Sequence, residues 1–133
     1  MENKNFNPVG WFEIYVQDLN KATQFYEEVF QVKLQNLADP TEDADGSMKM
    51  SAFPMMQSEA PGASGALVEM KGVPSGGNST IIYFSSYDCE VEQNRVEKSG
   101  GKIFKPKMSI GEHGFMSLCF DIDGNIFGIH SMK

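Results

Sequence analysis

The sequence predicts an α+β fold in which one strand-helix-strands unit occurs twice. The first unit begins with the strand-like run WFEIYV at residues 11–16 and continues into the helix-like stretch DLNKATQFYEEVF. The same order returns 70 residues later in IIYFSSYDCEVEQNRVEKSGGKIF, so that Glu13 corresponds to Tyr83. A third observation is the hairpin signal DGN at residues 123–125, between two apolar runs near the end of the chain.

The first predicted strand has two different faces. Side chains alternate across a strand, and the even-numbered residues of 11–16 are all apolar. The odd-numbered residues are Trp11, Glu13 and Tyr15, which place one carboxylate between two aromatic side chains. This second face is either the wet side of a sheet or the wall of a binding cavity.

The two predicted helices differ in the strength of their apolar pattern. Asp18 is a candidate N-cap for the first helix, whose apolar residues recur at helical spacing through Phe30. The second helix has a weak pattern, chiefly Cys89 and Val96, and is predicted mainly from its correspondence with the first. Gly100 and Gly101 are typical residues for its end.

Further strands complete each unit within a single predicted domain, residues 1–133. We predict SMKMSAF and GALVEM in the first unit, and IFKPK, FMSLCFDI and NIFGIHS in the second. The predicted boundaries are residues 8–72 for the first unit, 73–79 for a flexible linker and 80–133 for the second unit.

Composition narrows the choice of partners. The net charge of −7 opposes binding to nucleic acid or to an anionic bilayer, and no apolar run is long enough to span a membrane. Two cysteines are too few for a disulfide framework, and the polar start MENKNFNPVG has no signal-peptide core. We therefore expect a cytoplasmic protein that binds a small molecule or another protein.

The segments WFEIYVQDLNKATQFYEEVF and DIDGNIFGIHS, at their separation in this chain, resemble the vicinal oxygen chelate superfamily. This is the group of glyoxalases, bleomycin-resistance proteins and extradiol dioxygenases, and the resemblance runs from about residue 10 to residue 131. It implies two βαβββ modules side by side, with a curved mixed sheet around a cavity and the helices outside. It also implies a homodimer.

Metal-dependent members of this family bind a divalent ion through four side chains, one on the first and one on the last strand of each module. The resemblance places these positions on Trp11, Glu69, Ile81 and Gly128. Only Glu69 offers a metal ligand, because indole, isoleucine and glycine side chains have no lone pair to donate. We therefore expect no metal at the family's site and no other cofactor.

The cavity wall that remains is mostly apolar, with a few polar groups, as is typical of a small-molecule site. Alternation from the family's ligand positions assigns Glu13, Glu69, Tyr83 and His130 to it as polar groups. The aromatic and sulfur-containing residues expected to contact a ligand are Trp11, Tyr15, Met50 and Phe53, although methionine is also a common core filler.

Glu13 and His130 are the candidate catalytic residues, and each has a structural alternative. Glu13 could act as a general base in a desolvated pocket, or could simply accept a hydrogen bond from Trp11, a tyrosine or Lys71. His130 could be an acid or base near neutral pH, or a hydrogen-bonded residue of the last strand.

Two other polar groups have structural explanations. Asp121, Asp123 and Asn125 are spaced like part of a calcium loop, but Met132 stands where the closing glutamate would be, and a hairpin turn explains them better. His113, between two glycines, is either a mobile lid residue or a solvated loop residue.

Two functional hypotheses follow. The first is a metal-independent lyase or isomerase that moves a proton with Glu13 and uses His130 or Tyr83 as partner. The second is a binding protein without turnover, which sequesters an aromatic or cationic compound, such as a drug or metabolite, between apolar walls.

Overall fold

The computed structural model describes residues 8–38, 46–54 and 62–133, which form ten main elements in two βαβββ modules. The first module contains β1 (Trp11–Tyr15), α1 (Leu19–Phe30), β2 (Gln35–Leu37), β3 (Met48–Ala52) and β4 (Ser64–Met70). The second contains β5 (Ile82–Ser85), α2 (Cys89–Val96), β6 (Lys102–Ser109), β7 (Phe115–Phe120) and β8 (Ile126–Ser131).

The strands form two four-stranded mixed sheets, with the orders β1-β4-β3-β2 and β5-β8-β7-β6. In each sheet the first strand of the module pairs in parallel with the last, and the other pairings are antiparallel. Glu13 lies opposite Ala66 in one sheet, and Tyr83 lies opposite Gly128 in the other. The predicted α+β fold of two βαβββ modules is confirmed.

Helix α1 buries one apolar face because its apolar residues recur every three or four positions. The Asp18 carboxylate accepts a hydrogen bond from the Lys21 backbone N–H at 3.1 Å and caps the helix, as predicted. Phe25 and Tyr26 are fully buried, and Tyr26 lies within aromatic contact distance of Phe53 and Phe84. The centre of the core therefore lies between α1 and both sheets.

Helix α2 is shorter and buries less apolar surface, as its weak pattern predicts. Asp88 caps it by accepting from the Glu90 N–H at 3.1 Å, and the helix buries Cys89, Gln93 and Val96. A single 3₁₀ turn follows, and Gly100 ends it with a φ of 107°. This positive φ is the conformation that glycine adopts at little cost.

Candidate functional site

The two sheets each have one face against the helices and one face turned away from them, which we call the open face. On β1, Ile14 belongs to the core with α1, so that Trp11, Glu13 and Tyr15 lie on the open face. On β5, Phe84 packs in the same core, and Tyr83 lies on the open face. Alternation on these two strands therefore predicts the observed orientation.

The Glu13 carboxylate is held by its two neighbours on the open face. The Trp11 Nε1–H donates to Oε2 at 3.2 Å, and the Tyr15 hydroxyl donates to Oε1 at 3.0 Å. Partial desolvation raises the pKa of Tyr15, and the hydrogen bond to Glu13 and its negative charge raise it further. The phenol therefore keeps its proton and remains a donor to the carboxylate.

A cavity of about 260 Å³ opens beside Glu13, between β1 and the second module. We call it the Glu13 crevice. Its lining is mainly apolar and includes the polar side chains of Ser75 and Asn125. Both groups bond the Tyr15 carbonyl oxygen, Ser75 Oγ at 2.6 Å and Asn125 Nδ2 at 3.0 Å. The crevice is thus fixed by residues from the first module, the linking segment and the last hairpin.

A second cavity of about 320 Å³ lies on the open face of the second module. We call it the Tyr83 pocket, and it is lined by Tyr83, Ser85, Ile110, Met116 and His130. The His130 Nε2 lies 2.7 Å from the His113 carbonyl oxygen, which can only accept, so Nε2 carries a proton. The His130 ring is thus hydrogen-bonded to the backbone of the loop that precedes β7, and Glu13 and His130 line different cavities.

The expected places of Glu69 and Phe53 in the cavity wall are wrong. Glu69 lies on the helix side of β4, where its Oε1 accepts from the Leu19 N–H at 2.9 Å at the start of α1. Leu67, two residues earlier, is fully buried in the core, so the open-face residues of β4 are Ala66, Val68 and Met70. Phe53 is a core residue, with its ring centroid 5.6 Å from that of Phe12.

Met50 does lie on the open face, but only 5% of it is exposed. It packs with Ala52, Ala66 and Val68 in a small apolar cluster next to Tyr15. Sequence reasoning did not identify Ile110 and Met116 as lining residues. Met116 is placed by its register opposite His130, which no local pattern in the sequence specifies.

The hairpin between β7 and β8 contains a buried polar network, built by the residues that are spaced like part of a calcium loop in the sequence. The Asp121 carboxylate accepts four hydrogen bonds, from the Tyr26 hydroxyl at 2.7 Å, Asn125 Nδ2 at 3.1 Å and the backbone N–H groups of Asp123 and Asn125 at 2.8 and 2.9 Å. The hairpin-turn interpretation accounts for the three contacts within residues 121–125, and the contact with Tyr26 ties this turn to α1.

The comparisons with known proteins identify the family. A family model for the Glyoxalase/Bleomycin resistance protein/Dioxygenase superfamily matches residues 9–129, and the chain belongs to this superfamily. No curated protein matches the chain.

Solved structures share the fold at low sequence identity. A hypothetical protein from S. aureus is 19% identical with a TM-score of 0.66, and 96% of each chain is covered. A glyoxylase/bleomycin resistance protein/dioxygenase domain from Frankia sp. is 17% identical with a TM-score of 0.68, over 97% of this chain and all of that one. Glyoxalase I from Zea mays is 19% identical with a TM-score of 0.69, over 91% of this chain and 43% of its own. The present chain thus spans less than half the length of the maize chain.

The residues at the family's metal positions do not fit a metal ion. Glu13 and Tyr83 correspond in the repeat, and they lie opposite Ala66 and Gly128 on the last strands of their modules. Ala66 is therefore the counterpart of Gly128, and it takes the place of Glu69 among the four expected metal positions. None of Trp11, Ala66, Ile81 and Gly128 offers a donor atom. Within residues 8–38, 46–54 and 62–133, no group of three or more His, Cys, Asp or Glu side chains is arranged to hold a metal.

No helix in the described part of the chain is long and apolar enough to cross a membrane.

Proposed function

We propose that the protein binds a small organic molecule in the Glu13 crevice and holds it without chemical conversion. The observation that carries this proposal is the Glu13 carboxylate, which is fixed by two donors and lines a mainly apolar cavity. Because both carboxylate oxygens already accept hydrogen bonds, the side chain is held in one orientation, which suits an anchor for a ligand.

An organic cation is the ligand class that this site favours. The fixed charge of Glu13 would pair with an ammonium group, while the rings of Trp11 and Tyr15 beside it offer π-faces. The net charge of −7 would also raise the local concentration of cations. A compound with an apolar body and a cationic end therefore fits both the lining and the charge.

The test uses benzylammonium and its uncharged analogue benzyl alcohol, with binding followed by isothermal calorimetry. We expect the cation to bind the native protein more tightly than the alcohol, and Glu13→Gln to weaken it by about tenfold. Glu28→Gln is the matched control, because it removes the same charge from an exposed position on α1. Equal binding by native protein and Glu13→Gln would contradict an anchoring role for Glu13.

A metal-independent lyase or isomerase is the second candidate, since the Glu13 carboxylate is exposed to solvent and within reach of a ligand in the crevice. Incubation with a mixed metabolite extract, followed by mass spectrometry, separates the two functions. Conversion of a compound by the native protein but not by folded Glu13→Gln would favour the enzyme. Retention of a compound that is recovered unchanged favours binding alone.

We also propose a cytoplasmic homodimer. Exposed apolar side chains on the open faces, among them Trp11 and Ile81, support a second copy as partner. The maize glyoxalase I chain, of which this chain covers 43%, is long enough for two such units. Light scattering during gel filtration would measure the mass, and a monomer at micromolar concentration would refute this proposal.

A further inference from the structure

We propose that the Tyr83 pocket is a separate binding site for an uncharged aromatic compound that carries a hydrogen-bond donor, of which a phenol is the simplest example. All of its lining residues belong to the second module, and none of the residues lining the Glu13 crevice is among them. Its volume of about 320 Å³ is in the range of small-ligand cavities.

The His130 ring provides a hydrogen-bond acceptor. Its Nε2–H donates to the His113 carbonyl oxygen, so in the neutral ring Nδ1 carries the lone pair. Among the described residues, no group makes a hydrogen bond to Nδ1, and the ring is only half-buried. The acceptor is therefore fixed in orientation and available to a ligand hydroxyl.

The Tyr83 ring provides an aromatic wall, and Gly128 makes room for it. A Cβ at residue 128 would lie 2.4 Å from both Cδ2 and Cε2 of the Tyr83 ring, which is too close for any side chain. The ring thus lies across the last strand at the position where metal-binding relatives carry a ligand. It remains 46% exposed, which leaves it able to pack against a second ring.

The other lining groups favour an uncharged ligand. Ile110 and Met116 are apolar, and no Lys, Arg, Asp or Glu side chain lines the pocket. The Tyr83 hydroxyl makes only a weak contact with Met116 Sδ at 4.0 Å. A charged compound would lose hydration here without gaining an ionic partner, whereas a phenol would gain one acceptor and an aromatic contact.

The probes are para-cresol and its methyl ether, para-methylanisole, in which a methyl group replaces the hydroxyl hydrogen. Binding to the native protein is followed by amide and indole chemical shifts in two-dimensional NMR. We expect para-cresol to bind about three- to tenfold more tightly than the ether, as one net hydrogen bond provides. The shifts should map to residues of the Tyr83 pocket and leave the Trp11 indole signal in place.

Three variants test residues of the Tyr83 pocket, and a fourth serves as the control. Tyr83→Ala removes the aromatic wall, and Gly128→Ala displaces the ring without deleting it. His130→Phe keeps an aromatic ring but removes the ring acceptor. Each of the three should weaken the binding of para-cresol, and His130→Phe should also abolish the preference for para-cresol over the ether. Tyr87→Ala removes a tyrosine that is 98% exposed, and should bind like the native protein.

Several results would overturn the proposal. They are the absence of para-cresol binding at millimolar concentration, equal affinity for the ether, and undiminished binding by folded Tyr83→Ala. Shifts confined to Trp11 and Tyr15 would show that the phenol occupies the Glu13 crevice instead. Because benzylammonium and para-cresol are tested separately, either site can fail while the other stands.

Discussion

The open faces of the two modules have the same backbone frame and different chemistry. Glu13 and Tyr83 occupy equivalent positions on β1 and β5, and each lies opposite a small residue, Ala66 or Gly128, on the last strand of its module. One position carries a fixed negative charge, and the other carries an aromatic ring. The repeated backbone frame therefore presents a carboxylate beside one cavity and an aromatic ring beside the other.

The two faces are also physically joined. Asn125 Nδ2 in the last hairpin bonds the carbonyl oxygen of Tyr15 on β1, and its Oδ1 accepts from the Gly76 N–H at 2.7 Å. Asp121 bonds both Asn125 and the Tyr26 hydroxyl of α1. The second module therefore supports the residues that form the Glu13 crevice.

Asp121→Ala should have the largest effect on stability, because it removes a buried acceptor of four hydrogen bonds. We expect the free energy of unfolding to fall by about 3–5 kcal/mol, measured by urea denaturation, since the Tyr26 hydroxyl loses its partner in the core. The crevice should open as well, which the fluorescence of Trp11 would report.

Asp123→Ala is the matched control in the same turn. The Asp123 Oδ2 is buried and, within the described residues, has no hydrogen-bond partner. Burial raises the pKa of this carboxyl, and a single backbone hydrogen bond with Gln17 opposes the rise. Its removal should cost less than about 1 kcal/mol. If the two variants were equally destabilised, the hydrogen-bond network would not be what joins the modules.

The last strands of the two modules, β4 and β8, should differ in how well they tolerate a methyl group added at a glycine. In the first module, a Cβ at Gly65 would lie 2.3 Å from the backbone oxygen of Phe12, which cannot move without disturbing β1. At Gly128 the three nearest atoms to the same group all belong to the half-exposed Tyr83 ring, which can rotate towards solvent. We expect Gly65→Ala to cost about 3 kcal/mol and Gly128→Ala about 1 kcal/mol or less in thermal or urea unfolding. The reverse order would show that the Tyr83 ring is held more firmly than its exposure indicates.

Much of the fold could be predicted from the sequence, because the strand-helix-strands order occurs twice and the helix caps and final turn have clear local signals. Which side chains of a strand point away from the core could be predicted only where one face of the strand is polar. Trp11, Glu13 and Tyr15 alternate with apolar residues, and this pattern determines which way they point.

The same reasoning fails on β4, where Ala66, Leu67 and Val68 are all fully buried. A strand buried on both faces has no alternation, so the one-residue error that placed Glu69 in the cavity could be resolved only by the register with β1. The separation of Glu13 from His130 was also inaccessible, since it depends on how two sheets meet and not on local pattern.

The smallest expected effect concerns the two helix caps, which differ in charge pairing. The Lys107 ammonium donates to Asp88 Oδ1 at 2.9 Å, and chiefly this hydrogen bond holds the pKa of Asp88 below its ordinary value of 3.8. A lowered pKa means that the contribution to stability is present above the pKa of the unfolded chain and is lost as pH falls through the folded value. Asp88→Asn keeps a good cap but removes the charge, so the variant should lose less stability than the native protein on acidification below about pH 4.

Asp18→Asn is the control for this experiment, because Asp18 caps α1 and forms no ion pair with any of the described residues. The urea midpoint of each protein is measured at near-neutral and acidic pH, and the difference between the two values is compared. On acidification, the urea midpoint of the native protein should fall more than that of Asp88→Asn. The Asp18→Asn variant shows how much of this difference comes from changing the cap residue alone. If both asparagine variants had the same acid sensitivity, the Lys107 pair would contribute nothing, and the caps of the two modules would be energetically equivalent despite their different surroundings.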